Sequence, residues 1–395
     1  RNEPSADHLH DVTPAKPTGG RLLPWFMRNG SVRPEPSSKL SRLPQIWPQA
    51  DRPGEDRIVE QLMYLPPHYS HQTGSKDTHR KKIVLSGSWH DFLQGQSLFL
   101  RDKCPVNTCE VYQYTSIHMT ENSTDAYIFK DSFGDTKRGP ENRHQIWILY
   151  LLENPTNTLV DSREATINWT ATYRKDSVIV TPYEKFVLFD PLVKRRPMNS
   201  VNYAANKTKM VAWFVSNCGA PNGRLQYAHE LKKYIQVDIY GACGTLSCKR
   251  DESENCLRML DMDYRFYLAF ENANCKDYIT EKLYNVLRHD VVPIVMGASP
   301  EEYRSAAPAN SFIHVDDFES PRELATYLKM LSTNDTLYEE YFAWKGTGEF
   351  INTYFWCRLC ALLHAPPANA PPPYKDIGQW WRGNGACSNK LRWKP

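Results

Sequence analysis

Four apolar runs constrain the fold more than anything else in this sequence: residues 145–152 (QIWILYLL), 210–216 (MVAWFVS), 266–270 (FYLAF) and 291–296 (VVPIVM). Each has the length of a strand and is bounded by turn or polar residues, so each reads as a buried strand. Shorter strand candidates lie at residues 83–85, 177–181 and 237–240. Helical patterns follow at residues 224–234 and from Glu281 onward. Strands interleaved with helices of 10–15 residues signal βαβ units and parallel sheets. One more helix is well specified, with Ser320 as N-cap, Pro321 at N1 and Glu323 at the capping-box position. Leu324, Tyr327, Leu328 and Leu331 then recur at i, i+3, i+4 and i+7, a core-facing stripe.

With 395 residues the chain makes one very large domain or two of ordinary size, and 41% hydrophobic residues suffice for a full core. A formal net charge of +3 argues against a nucleic-acid partner, and the basic clusters His79-Arg80-Lys81-Lys82 and Lys194-Arg195-Arg196 are short. Ten cysteines and sequons at Asn29, Asn122, Asn168, Asn206 and Asn334 favour an oxidising, glycosylating lumen. By spacing alone Cys357-x-x-Cys360 fits structural disulfides, a thioredoxin-like redox pair, or half a zinc site completed by Cys104 and Cys109; disulfides are favoured. No apolar run spans a membrane, and the start at Arg1 reads as a fragment from which an N-terminal anchor or signal has been removed. Residues 1–57, rich in Pro, Ser, Arg and Asn, read as a stem or linker whose one compact cluster is residues 22–27 (LLPWFM). Beyond Gly346 the sequence becomes irregular and carries cysteines that can tie it down.

Chemistry concentrates at strand ends, where parallel α/β sheets bind ligands. The run at residues 266–270 ends in Glu271-Asn272, crosses a loop, and enters a helix capped by Thr280 with Glu281 and Lys282 in its first turn. A lysine there opposes the helix dipole, and a diphosphate ligand would explain it; Glu281 can accept ligand hydroxyls. A second strand–turn–helix, Ser216-Asn217 through Gly223-Arg224, offers a guanidinium suited to pyrophosphate. Glu153 stands at the end of the run at 145–152, where desolvation would raise its pKa toward a general base's range. Asp261-Met262-Asp263 matches a metal-binding DxD pattern, but it precedes a strand instead of ending one, so no metal site is assigned.

The run FYLAFENANCKDYITEKLYNVLRHDVVPIVMG, with SFIHVDDFESPRELATYLK and YFAW, resembles the family-10 α1,3-fucosyltransferases. The resemblance extends upstream through INWTATYRKDSVIVTPY and LLENPTNT, covering roughly residues 80–365. Its detail (VAWFVSNCGAPNGRLQYAHELKKYIQVDIYGACG, FWCRLCALLH, WWRGNG) is most similar to the insect core α1,3-fucosyltransferases of N-glycans. The resemblance implies an α/β GT-B fold: two Rossmann-like domains facing across a cleft, with an N-terminal stem and a disulfide-tied tail. The expected bounds are stem 1–57, acceptor domain 58–205, GDP-fucose domain 206–346 and tail 347–395. It implies inverting transfer of fucose from GDP-fucose to O3 of the asparagine-linked GlcNAc, with Glu153 as general base. Arg224, Glu281 and Lys282 match donor-binding positions, and Ser216, Asn217, Tyr267, Asn272 and Tyr183 match others near the donor. Cys357 and Cys360 match a pair bonded to cysteines of the N-terminal half, which implies Cys104 and Cys109; the pairing of Cys218, Cys243, Cys248, Cys256, Cys275 and Cys387 stays open. The partners implied are GDP-fucose and a glycoprotein N-glycan, with no nucleic acid and no required cofactor, a divalent cation being at most stimulatory. The implied location is the Golgi lumen, as a single-pass type II protein whose anchor is not in this sequence. The rival readings are the same chemistry on an antennal GlcNAc or a protein hydroxyl, and an inactive glycan-binding protein. Intact Glu153, Arg224 and Glu281-Lys282 oppose the last.

Overall fold

Parallel strands rich in Val, Ile, Leu and aromatics bury both faces, and here they form two sheets in two units. The computed structural model describes residues 45–51, 56–67, 69, 80–87, 89, 93–114, 123–132, 143–160, 167–197, 201–248, 253–388 and 393. The units are Arg1–Glu153 with Asn157–Thr181 and Thr353–Trp381, and Asn154–Thr156 with Pro182–Asn352 and Arg382–Pro395.

The first unit opens with α1 (Arg57–Met63), capped by Asp56, whose carboxylate accepts from Ile58 N and Val59 N. Its sheet holds β1 (Lys81–Ser86), β2 (Cys109–Gln113), β3 (Ala126–Lys130), β4 (Ile146–Leu151), β5 (Trp169–Thr172) and β6 (Ile179–Val180). The order is β2-β1-β3-β4-β5-β6, parallel throughout. A short α2 (Ser97–Arg101) precedes β2. The expected stem, 1–57, ends earlier than its composition indicates. Ile46 and Trp47 are buried, Trp47 packs on Trp169 with ring centroids 5.4 Å apart, and Gln61 donates to Ile46 O. The cluster at residues 22–27 lies outside the described residues.

The second unit begins with β7 (Lys185–Leu188), then β8 (Lys209–Phe214), α3 (Arg224–Lys232), β9 (Val237–Tyr240), α4 (Ser253–Met262) and β10 (Tyr264–Phe270). There follow β11 (Asn274–Cys275), α5 (Glu281–Leu287), β12 (Val292–Met296), α6 (Pro300–Ala306), β13 (Ile313–His314), α7 (Pro321–Ser332), α8 (Asp335–Glu339) and β14 (Gly348–Ile351). The main sheet runs β13-β12-β10-β8-β9, all parallel. The chain leaves β8 in one direction to β9 and returns to β10 on the other side, so the topological switch point lies between β8 and β10. Phe266, Leu268 and Phe270 of β10 pack with α3 and α7, whereas Tyr267 and Ala269 pack with α5 on the opposite face.

Ser320 accepts from Glu323 N as the sequence indicates, but the Glu323 carboxylate takes Glu319 N and leaves the cap's own amide. The complete capping box is at Ser299 and Glu302, at the start of α6. The second unit starts at Pro182, ahead of the expected 206, because β7 pairs antiparallel with β14.

The expected tail divides between the units. α9 (Phe355–Leu363) belongs to the first and is held there by Cys104–Cys357 and Cys109–Cys360. After α10 (Ile377–Arg382), β15 (Cys387–Ser388) pairs with β11 in the second unit, closed by Cys275–Cys387. Cys218–Cys243 and Cys248–Cys256 complete the set, so all ten cysteines are paired. Cys109, Cys360 and His364 lie close enough to suggest a metal cluster, but the two sulfurs are bonded to each other and His364 contacts Thr108. Among the described residues no helix is long and apolar enough to cross a membrane.

Candidate active site

The switch point of the second unit collects most of the expected donor residues. Ser216 and Asn217 follow β8 one residue on, after Val215, and are exposed. Gly223, at φ 73°, turns the chain into α3 and puts Arg224 at its first position. The Arg224 side chain folds back beneath the strand ends: Nη1 donates to Phe270 O at 2.8 Å and Nη2 to Asn217 O at 2.9 Å. Arg224 is 4% exposed, its Nε has no hydrogen-bond partner, and Trp213 lies under its guanidinium. Burial lowers its pKa against the pull of Glu271. Among the described residues it forms no ion pair, so a desolvated cation holds the ends of β8 and β10 together by carbonyls alone.

Tyr267 reaches across from β10 and accepts Phe214 N at 3.4 Å. Burial pushes the phenol up to about 12, against the Phe214 N hydrogen bond and the charges of Lys282 and Arg224, which pull it down. Asn272 is half-buried and accepts from Asn154 Nδ2 at 3.0 Å. Tyr183 packs, half-buried, against the aromatic cluster on the α5 face.

The helix at Glu281 is shorter than the sequence suggests. α5 has seven residues and begins at the Thr280 cap, which accepts Lys282 N. Two turns give a small dipole, so the anion reading rests on side chains. Lys282 Nζ donates to Thr280 Oγ1 at 3.0 Å and Glu281 Oε1 at 3.2 Å and lies 3.1 Å from Glu271 Oε2. Burial opposes its charge, but Glu271 and Glu281 outweigh burial and raise its pKa above that of an ordinary lysine.

Glu153 follows β4 in the first unit and is half-buried, less enclosed than a desolvated strand-end carboxylate would be. Asn157 Nδ2 lies 3.5 Å from its Oε1. The next three residues, Asn154–Thr156, count with the second unit. Asp261 and Asp263 are separately engaged, Asp261 by His289 and Asp290 N and Asp263 by Lys209.

Sequence reasoning gave no role to Asn154, Asn222 or Glu271. Asn222 Nδ2 donates to Glu271 O and Asn274 Oδ1, bracing the loop after β10. Alternation along β10 holds the signal for Glu271: it continues the face of Tyr267 and Ala269, which lies under α5.

The model for the C-terminal part of glycosyltransferase family 10 (fucosyltransferase) matches residues 204–380, and the fucosyltransferase N-terminal model matches residues 79–184. A Drosophila melanogaster glycoprotein 3-alpha-L-fucosyltransferase A is 50% identical over 93% of this chain and 74% of its own length. The chain belongs to glycosyltransferase family 10, the fucosyltransferases. Its activity class is α1,3-fucosyl transfer. The Drosophila alpha-(1,3)-fucosyltransferase C is 35% identical over 77% of this chain and 76% of its own length. A Bos taurus 4-galactosyl-N-acetylglucosaminide 3-alpha-L-fucosyltransferase 9 is 40% identical over 59% of this chain and 62% of its own. A solved α1,3-fucosyltransferase with GDP-fucose covers 79% of this chain and 96% of that chain at 18% identity and a TM-score of 0.49, too loose a likeness to bear on residue positions.

Proposed function

We propose that this α1,3-fucosyltransferase moves L-fucose from GDP-β-L-fucose, with inversion, to O3 of the asparagine-linked GlcNAc of N-glycan cores. The observation that carries the donor assignment is the placement of two cations at the β8/β10 switch point, Arg224 at the head of the helix after β8 and Lys282 in the first turn of the helix after β10. A nucleoside diphosphate there has both charges at its pyrophosphate. Glu281, 43% exposed, is free to turn toward ribose or fucose hydroxyls, and Asn272, Ser216, Asn217 and Tyr183 complete the donor set.

In the proposed reaction the acceptor O3 attacks the fucose anomeric carbon as the bond to the β-phosphate oxygen breaks. The O3 proton passes to the Glu153 carboxylate, and GDP leaves with the bond's electron pair. One displacement inverts the β-linked donor to an α-linked product. Arg224 and Lys282 offset the charge that develops on the diphosphate, so no metal is required and a divalent cation is at most stimulatory. The glycoprotein acceptor follows the relative matched over nearly the whole chain in preference to the galactosyl-GlcNAc enzyme matched over 59% of it. Five disulfides and exposed sequons at Asn206 and Asn334 suit the Golgi lumen, where a type II anchor would hold such an enzyme.

The test offers GDP-β-L-fucose with a core N-glycopeptide or an N-acetyllactosamine oligosaccharide, in EDTA, and reads products by mass spectrometry and NMR. The expected product is α-fucose on O3 of the asparagine-linked GlcNAc. Fucose on the antennal GlcNAc would move the acceptor assignment, a β-linked product would overturn inversion, and loss of turnover in EDTA would overturn metal independence.

A further inference from the structure

Glu271 ends β10 with a carboxylate that is 0% exposed. Its Oε1 accepts Thr280 N and Thr280 Oγ1, both at 2.8 Å, and its Oε2 lies 3.1 Å from Lys282 Nζ. Space for it exists because residue 297 is glycine: a Cβ there would stand 2.8 Å from Glu271 Cγ. The main chain is fixed too, with Glu271 N donating to Met296 O and Glu271 O accepting from Asn222. A buried carboxylate costs solvation that an apolar residue would not, and this one uses its second oxygen on a lysine whose side chain is 30% exposed.

An ammonium has three donors. Those of Lys282 are met by Glu271, Thr280 and Glu281. Two of these partners are buried and mutually bonded, whereas Glu281 is 43% exposed and adjoins Lys282 in sequence. Only Glu281 can be exchanged without disturbing the core. We propose that Glu271 is a positioning residue that clamps Lys282 Nζ at the phosphate site, while Glu281 is the partner a diphosphate displaces, swinging to the donor's hydroxyls. This rests on the reading of Lys282 as a donor-phosphate ligand.

Electrostatics and positioning predict opposite signs for one substitution. Glu271→Gln keeps the Thr280 contacts but removes a negative charge near an anion site, which by charge alone would tighten GDP binding. Under the positioning role it loosens it, because Lys282 loses its anchor. Calorimetry with GDP and with guanosine would be run on the wild type, Glu271→Gln, Lys282→Met and the double variant. The expected result is about a tenfold GDP loss in Glu271→Gln, the scale of one charge-assisted hydrogen bond. No further loss is expected in the Lys282→Met background, and guanosine affinity stays unchanged throughout. Unchanged or tighter GDP binding by Glu271→Gln would overturn the positioning role, as would an equal loss in the Lys282→Met background. Unchanged GDP affinity in Lys282→Met would instead remove the donor reading, and the inference with it. Should Glu271→Gln not fold, Glu271→Asp, which withdraws the charge by one methylene, replaces it with the same expected loss and the same overturning results.

Discussion

Arg224 brings a charge into the protein and meets only backbone oxygens, Phe270 O and Asn217 O. A lysine there would bring a single nitrogen in place of a planar fork whose two separate nitrogens each reach one carbonyl, so it could not keep both contacts in the present geometry. Arg224→Lys should therefore lower GDP affinity by about ten- to a hundredfold and stability by about 2 kcal/mol, measured by calorimetry and denaturant titration. Glu153 makes a different demand, since a base is needed only while the acceptor proton moves. Glu153→Gln should keep GDP affinity and cut transfer by about two orders of magnitude or more; steady-state rates near wild type would remove it from the proton path. The sequons also separate at this scale. Asn168 is half-buried beside the β4–β5 pairing, where its Oδ1 accepts Trp147 N at 2.9 Å, whereas Asn206 is exposed and Asn334 is exposed even as it caps α8, so intact glycopeptide mass spectrometry should find glycans on the latter two and none on Asn168. Residue types alone pointed to Arg224, Lys282 and Glu153, because strand-end charges are conspicuous. Glu271 is as conspicuous at its strand end but carries no role in the sequence, since that role depends on which face of β10 it continues and on the space at Gly297.

Among elements, the loop after β10 is the most heavily braced part of the candidate site. β15 pairs with β11, Lys276 N donates to Ala386 O, and Asp277 N donates to Glu302. The Cys275–Cys387 bond makes this strap covalent across a sequence separation of 112 residues. Replacing both cysteines by serine leaves no unpaired thiol and should cost about 2–4 kcal/mol. Because the strap holds residues between Asn272 and Lys282, the donor KM should rise more than kcat falls. Thermal unfolding with initial rates over a GDP-fucose series checks both, and an unchanged KM would show that the loop holds its shape without the strap. The strong strands β4, β8, β10 and β12 stood out in the sequence because they are long apolar runs. The helix α9 did not: Cys357, Leu359, Cys360, Ala361 and Leu362 are all buried, so it lacks the polar stripe that gives a helix its period. The strap was invisible for another reason, since a two-residue strand has no pattern and its partner lies far away in the chain.

At the level of the whole chain, the segments of the two units alternate in sequence. Pro182–Asn352 of the second unit lies in sequence between Thr181 and Thr353 of the first, and α9 then returns to pack with α1 and α2. The apolar runs made two parallel sheets readable, but no local pattern announces that a helix 170 residues later completes the first of them, because that completion is a long-range contact. Arg358, fully buried on α9, donates to Gln61 on α1 and to Thr353. Cys104–Cys357 and Cys109–Cys360, with separations of 253 and 251 residues, make the return permanent. With Cys109–Cys360 still closing the long loop, Cys104→Ser/Cys357→Ser opens only the short loop between the two staples and should destabilise the first unit by about 2–3 kcal/mol. The second unit keeps its own core, its three disulfides and the donor-site residues Arg224, Tyr267 and Lys282. GDP should therefore bind this variant with wild-type affinity at temperatures where fucose transfer is already lost. Calorimetry beside an activity–temperature curve reads the separation. Simultaneous loss of GDP binding and transfer at one temperature would mean that the units unfold together, and that the staples secure the donor site as well as α9.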